Sequence, residues 1–105
     1  MVKLCVIYEG RPQNADKFDS YYFGNHLPIV ARIPKVRRIN VSKSRKAGDD
    51  FYQIAEIFFD NSADLDAGLA SPERAAAAQD RQNFPAFEGT IRYATFEIAE
   101  YPVKG

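Results

Sequence analysis

The chain has 105 residues, 46% of them apolar, which suits one domain with a real core and leaves no room for a second. Lys plus Arg equals Asp plus Glu at 14 each, so no broad field exists for capturing DNA, RNA or anionic lipid. One His and one Cys exclude an internal disulfide and a structural zinc site, which takes about four ligands.

Lys3 to Glu9 reads as a strand, rich in Leu, Val, Ile and Tyr. Cys5 lies inside its apolar run Leu4-Cys5-Val6-Ile7, where it is a small hydrophobe rather than a nucleophile. Arg11-Pro12-Gln13 is expected to break the strand, and Asn14 to cap a helix whose first turn carries Asp16. From Phe18 the apolar and aromatic positions 18, 21, 22, 29, 30 and 33 cluster on one helical side, with His26 on the flank. Pro28 lacks the N–H that would bond the Gly24 carbonyl, so the helix is expected to bend there or end early. Ile33-Pro34 closes the segment.

Val36 to Lys43 and Phe51 to Phe59 alternate as two strands joined by Ala47-Gly48-Asp49-Asp50. The basic stretch Arg37, Arg38, Lys43, Arg45, Lys46 is then a solvated hairpin end. Alternation puts Ala55, Ile57 and Phe59 on one face and Ile54, Glu56 and Phe58 on the other, so that Glu56 is expected at the dimer sheet interface, paired across it with a residue such as Arg38, rather than in the cavity as a second proton acceptor. Ser62 begins a second helix, and Ser71-Pro72-Glu73 restarts it. The Ala75–Ala78 run continues to about Phe84, Pro85 and Gly89 end it, and Thr90 to Glu100 is the last strand.

The order is βαββαβ, an α+β, ferredoxin-like sandwich filling residues 1–105. Two helices cover only one face of its sheet. The apolar residues left on the other face are expected to be buried by a second copy, giving a two-fold homodimer. The N-terminus carries no charged region followed by a long apolar one, and no apolar span approaches roughly 18 residues, so a reducing cytoplasm and no membrane partner are the expectation.

Phe18-Asp19-Ser20-Tyr21-Tyr22-Phe23-Gly24-Asn25-His26-Leu27-Pro28 resembles the EthD-family signature Phe-x-x-Tyr-Tyr-x-x-x-His-x-Pro. Tyr8 before Pro12, Ile33-Pro34-x-Val36-Arg37-Arg38, Ala55-Glu56-Ile57-Phe58-Phe59-Asp60 and Ala70-Ser71-Pro72-Glu73 extend the likeness, in order, over nearly the whole chain. The resemblance implies a dimeric α+β barrel, a fold shared with muconolactone-type isomerases, polyketide cyclases and cofactor-free quinone-forming monooxygenases. It also carries a general oxidoreductase label, although fold does not fix function.

His26, the sole histidine, is the candidate catalytic residue, because an imidazole titrates near neutral pH and can act as general acid or base. The structural alternative is that it satisfies a carbonyl freed by Pro28. Tyr22, Phe18, Tyr8 and Phe84 are the candidate ligand-binding residues. Of the strand tyrosines Tyr8, Tyr52 and Tyr93, whichever face the helices are expected to line the cavity. Asn25 and Asn83 can orient a carbonyl, cap a helix or face water. No Gly-rich phosphate loop, metal cluster or Ser-His-Asp pattern appears, so no cofactor and no metal are expected. Three readings remain open. One is a cofactor-independent proton-transfer enzyme of isomerase, cyclase or oxygenase type, acting on a small hydrophobic or aromatic metabolite. Another is a non-catalytic binding or accessory protein for a partner oxidoreductase. The last is a fold-only dimer whose aromatics fill its own cavity.

Overall fold

Strand β1, Val2–Pro12, lies in the interior of an antiparallel sheet because both of its edges are paired, as the computed structural model of residues 1–105 shows. One edge pairs with β3, Phe51–Phe59, and the other with β4, Phe87–Glu97. Strand β2, Arg38–Lys43, adds to β3, giving the order β2-β3-β1-β4. This is the ferredoxin-like α+β arrangement that the element order predicts.

Strand alternation sorts the side chains. Val2, Leu4, Val6 and Tyr8 of β1 are buried with Ala55, Ile57 and Phe59 of β3, and this face carries the helices. Helix α1, Ala15–Tyr21, is capped by the Asn14 side chain, which accepts from the Lys17 N–H at 3.0 Å. It buries Phe18, and Tyr22, Val30 and Ile33 follow farther along the same segment. Helix α3, Ser62–Leu69, starts from an Asn61 cap, one residue before the expected Ser62. Helix α4, Pro72–Asp80, starts from Ser71. The Ser71 hydroxyl ties the two helices together, donating to the Gly68 carbonyl at 2.6 Å and accepting from the Arg74 N–H at 3.1 Å.

Several sequence expectations are refined. Ahead of Pro28 the helix changes its winding, and it ends two residues after it, at Val30. One π-helical turn, Tyr22–His26, precedes α2, Leu27–Val30, and the Leu27 N–H reaches back to the Tyr22 carbonyl. The wider turn changes the register just where Pro28 has no N–H to donate. Arg11 and Pro12 do not break β1, and β4 starts at Phe87 rather than Thr90. Gly10 and Gly89 lie opposite each other at φ +121° and +145°, and a Cβ on either would come within 2.1 Å of the facing backbone. Gly89 therefore allows the strands to pass closely rather than ending a helix. Helix α4 ends at Asp80, and a short 3₁₀ turn, Arg81–Asn83, replaces its expected run to Phe84.

Within the chain Glu56 has a partner of its own. Its carboxylate pairs with Lys3 on β1 at 2.6 Å, because Lys3 is its diagonal neighbour on the same face. Arg38 sits opposite Phe58 in the ladder and lies over that ring at 4.1 Å.

Gln53 on β3 is 1% exposed, and neither its Oε1 nor its Nε2 has a partner in the chain. Buried polar groups are normally paired, and leaving one unpaired costs about 1–3 kcal/mol. Gln53→Met keeps the volume and removes the amide. It is expected to stabilise the fold by about 1–2 kcal/mol, raising Tm by roughly 5–10 °C. Thermal unfolding followed by circular dichroism checks this, and a lowered Tm would show that the amide is partnered in solution.

Candidate active site

The π-helical turn sets where the site lies. It carries Tyr22 and His26 inward from neighbouring turns, with ring centroids 5.4 Å apart, and leaves Phe23, Gly24 and Asn25 exposed. His26 is 6% exposed. Its Nδ1 donates to Asp80 Oδ2 at 2.9 Å, from the last residue of α4. The other carboxylate oxygen, Oδ1, accepts from the Tyr21 hydroxyl at 2.6 Å and from Asn83 Nδ2 at 3.1 Å. A buried carboxylate thus gathers three donors from the first helical segment and the α4 terminus.

These contacts fix the charge state. Burial alone would raise the Asp80 pKa, but hydrogen bonds from Tyr21, Asn83 and His26 outweigh it and hold the carboxyl below its ordinary value. Burial pushes the His26 imidazole below its ordinary value against the opposing pull of Asp80, and the nearby Arg81 charge adds to the lowering. The ring is therefore neutral at pH 7. With Asp80 ionised, the ring proton resides on Nδ1 and the lone pair on Nε2. Nε2 has no partner in the chain, and the only unpaired side-chain polar atoms shut off from solvent belong to Gln53. An oriented, neutral base with an open nitrogen is the result.

His26 lines a cavity of about 40 Å³ between helices and sheet, walled mainly by Val6, Val30, Ile57 and Ala77. A water needs about 10–15 Å³ by this measure, so a few atoms fit without movement. Tyr8 and Tyr22 border the same cavity. Burial pushes the Tyr22 hydroxyl up to about 12, and the Tyr8 hydroxyl is raised further by burial and by Tyr22 beside it, so both stay protonated donors. Phe18 and Phe84 are close but outside the wall. Phe18 stacks under Tyr22 at 6.0 Å, and Phe84 packs edge-on against His26 at 4.6 Å. Of the strand tyrosines, Tyr8 and Tyr93 line the cavity. Tyr52 packs against Phe18 instead and bonds Asp19, because a bulge in the β1–β3 ladder makes it the unpaired residue.

Sequence reasoning missed Asp80. The available signal is spacing: Ala77, Asp80 and Phe84 follow one helical stripe, so a carboxylate falls in the buried phase. Nowhere do three His, Cys, Asp or Glu side chains converge as metal ligands.

Fold and site together define a small ferredoxin-like α+β protein with a His–Asp pair beside an apolar cavity. Comparison with known proteins sharpens this. The EthD domain profile matches residues 11–88, and the chain belongs to the EthD family. An 11.0 kDa protein from the thcB-thcC intergenic region of Rhodococcus erythropolis, itself uncharacterized, is 31% identical over 87 residues, covering 80% of this chain and 84% of its own length. The crystal structure of an EthD family protein from Bacillus halodurans superposes with a TM-score of 0.82 at 26% identity, over 94% of this chain and 99% of that one. SnoaB from Streptomyces nogalater, a cofactor-independent oxygenase, shares the fold at a TM-score of 0.65 and 18% identity, over 95% of this chain and 94% of its own.

Proposed function

We propose that this EthD protein binds a small hydrophobic metabolite, and that His26 Nε2 takes a proton from it without a cofactor. The observation that carries the reading is the Nδ1–Asp80 hydrogen bond on a histidine that lines the cavity and whose Nε2 has no partner in the chain. A C–H next to a carbonyl, or a phenolic O–H, would lose its proton to Nε2, leaving an enolate or phenolate. Tyr8 and Tyr22, protonated donors on the same wall, stabilise that oxygen. Isomerisation, cyclisation and base-assisted oxygenation all begin with this step, and a protein of the same fold, SnoaB, is a cofactor-independent oxygenase. Apolar walls add orientation and keep water from the anion.

The test needs no knowledge of the final product. Cyclic ketones and phenols are incubated with the protein in D₂O, and proton NMR follows exchange at the acidic carbon. Exchange that His26 is needed for supports the enzyme. Ligand binding with no exchange on any compound returns the protein to the role of a carrier for a partner oxidoreductase.

The same reading makes the protein a homodimer joined through the helix-free face of its sheet. That face carries Cys5, Ile7, Ile54, Phe58 and Phe96, and Phe96 is 47% exposed. A sheet buried on both faces accounts for such a pattern. Sedimentation velocity at micromolar concentration is expected to give the mass of two chains, and Phe96→Asp to shift it to one. A wild-type monomer would end the dimer reading.

A further inference from the structure

Two arginines at the rim of the cavity have no use in the proton transfer. Arg74 on α4 lines the cavity wall, and Arg81 follows α4 in the 3₁₀ turn. Their guanidinium groups converge on the ring of Tyr93, at 5.7 and 5.4 Å from its centroid. Arg81 Nη1 also donates to the Tyr93 hydroxyl at 3.0 Å, so that hydroxyl keeps its own O–H to donate elsewhere. Tyr93 lines the cavity and is 40% exposed, which makes this trio the open side of an otherwise apolar wall.

Neither guanidinium has a carboxylate partner. The ion pairs of the chain engage Lys3, His26, Arg37, Lys43 and Arg92. Asp80, the carboxylate next to Arg81 in sequence, is occupied by Tyr21, His26 and Asn83. Glu73, beside Arg74, makes no ion pair with it. The positive charge is thus held against Tyr93 on the cavity wall rather than neutralised. Arg81 makes a small contribution inside the cavity, opposing the rise that burial gives Tyr8 and adding to the lowering that burial gives His26.

We infer that Arg74, Arg81 and the Tyr93 hydroxyl form an anion subsite at the mouth of the cavity, so that the ligand is a small hydrophobic molecule bearing a carboxylate. The apolar body lies toward Tyr22 and His26, while the carboxylate stays at the wet rim, where planar guanidinium groups match its two oxygens. Arg side chains are flexible and half-buried here, so they and Tyr93 can swing aside to admit a ring that about 40 Å³ does not hold at rest. A neutral His26 also suits this ligand, because a base that carries no charge leaves anion recognition to the rim.

This inference rests on the binding reading above and is tested apart from it. Matched aromatic acids and amides (benzoate and benzamide, cinnamate and cinnamamide, 2-naphthoate and 2-naphthamide) are titrated at low salt, with Kd taken from NMR shifts. The acid of the binding pair is expected to bind at least tenfold more tightly than its amide. In Arg74→Gln/Arg81→Gln, with an unchanged Tm, that preference is expected to fall within twofold while the amide Kd stays put. Equal binding of acid and amide in the wild type, or a preference that survives the double substitution, overturns the anion subsite and leaves the cavity reading intact. Failure of every compound to bind overturns both.

Discussion

His26→Asn is expected to slow proton exchange on a responsive ketone or phenol by about 10²–10⁴-fold, the usual contribution of a positioned general base. Asn suits the test better than Ala. Its amide N–H occupies the position of Nδ1, so donation to Asp80 Oδ2, 2.9 Å away in the wild type, is retained and the carboxylate keeps its third donor. What disappears is the outer edge of the ring, with the Nε2 lone pair and part of the contact on Phe84. The fold is expected to hold, with a Tm within a few degrees, and ligand Kd to change little. A variant that keeps its exchange rate would show that another group, or bulk solvent, takes the proton. His26→Ala separates the structural part, because it also withdraws a donor from a buried carboxylate and leaves a void against Phe84.

Much of the fold is legible in the sequence because period-two and helical patterns report which side of each element is buried. Ala55, Ile57 and Phe59 are separated from Glu56 by alternation alone, and Asn14 and Ser71 announce helix starts through hydrogen bonds each makes within three residues. What failed depends on partners distant in sequence. Gly89 looks like a terminator until Gly10 is placed against it, 79 positions away in the chain. Lys3 and Glu56 meet only through sheet register. The π-helical turn leaves no compositional mark beyond Pro28, which signals a problem for the helix without saying how it is solved.

The site divides in the same way. His26 and Tyr22, four residues apart on one helix, are readable from spacing, and the family likeness points to both. Asp80 lies 54 residues from His26 and meets it only when α4 packs beside the π-helical turn. Nothing local distinguishes it from the other carboxylates of the chain, apart from its phase with Ala77. The arginines escaped for a related reason. Arg74 lies on α4 and Arg81 in the 3₁₀ turn just past its end, and only β4 brings the Tyr93 ring against both.

Asp80 is where the chemistry and the stability of this protein meet, and two substitutions separate them. Asp80→Ala strips the Tyr21 hydroxyl, His26 Nδ1 and Asn83 Nδ2 of their common acceptor. Buried donors left unpaired make this costly, and about 2–4 kcal/mol of stability is expected to be lost. Asp80→Asn keeps the volume but presents an N–H where His26 now finds an anion, favouring the ring tautomer whose Nε2 holds the proton and is not basic. Exchange is then expected to fall by about 10²–10⁴-fold, the scale known when a His–Asp pair loses its carboxylate. The pH behaviour provides an independent check. Burial holds the wild-type imidazole below its ordinary value while Asp80 pulls it upward, so removing that carboxylate is expected to move the His26 pKa lower still. A depressed histidine pKa means that the unfolded chain binds the proton more readily. The stability from neutral His26 is therefore complete above about pH 6.5 and drains away as pH falls below it, until the folded imidazole is itself protonated. Asp80, depressed below the ordinary carboxylate value, contributes above about pH 4 and loses its contribution as pH falls through its folded pKa. NMR titration of the single His26 ring reads the first shift directly. A ring that titrates at the same or a higher pH in Asp80→Asn would mean that the carboxylate does not set the protonation of the base.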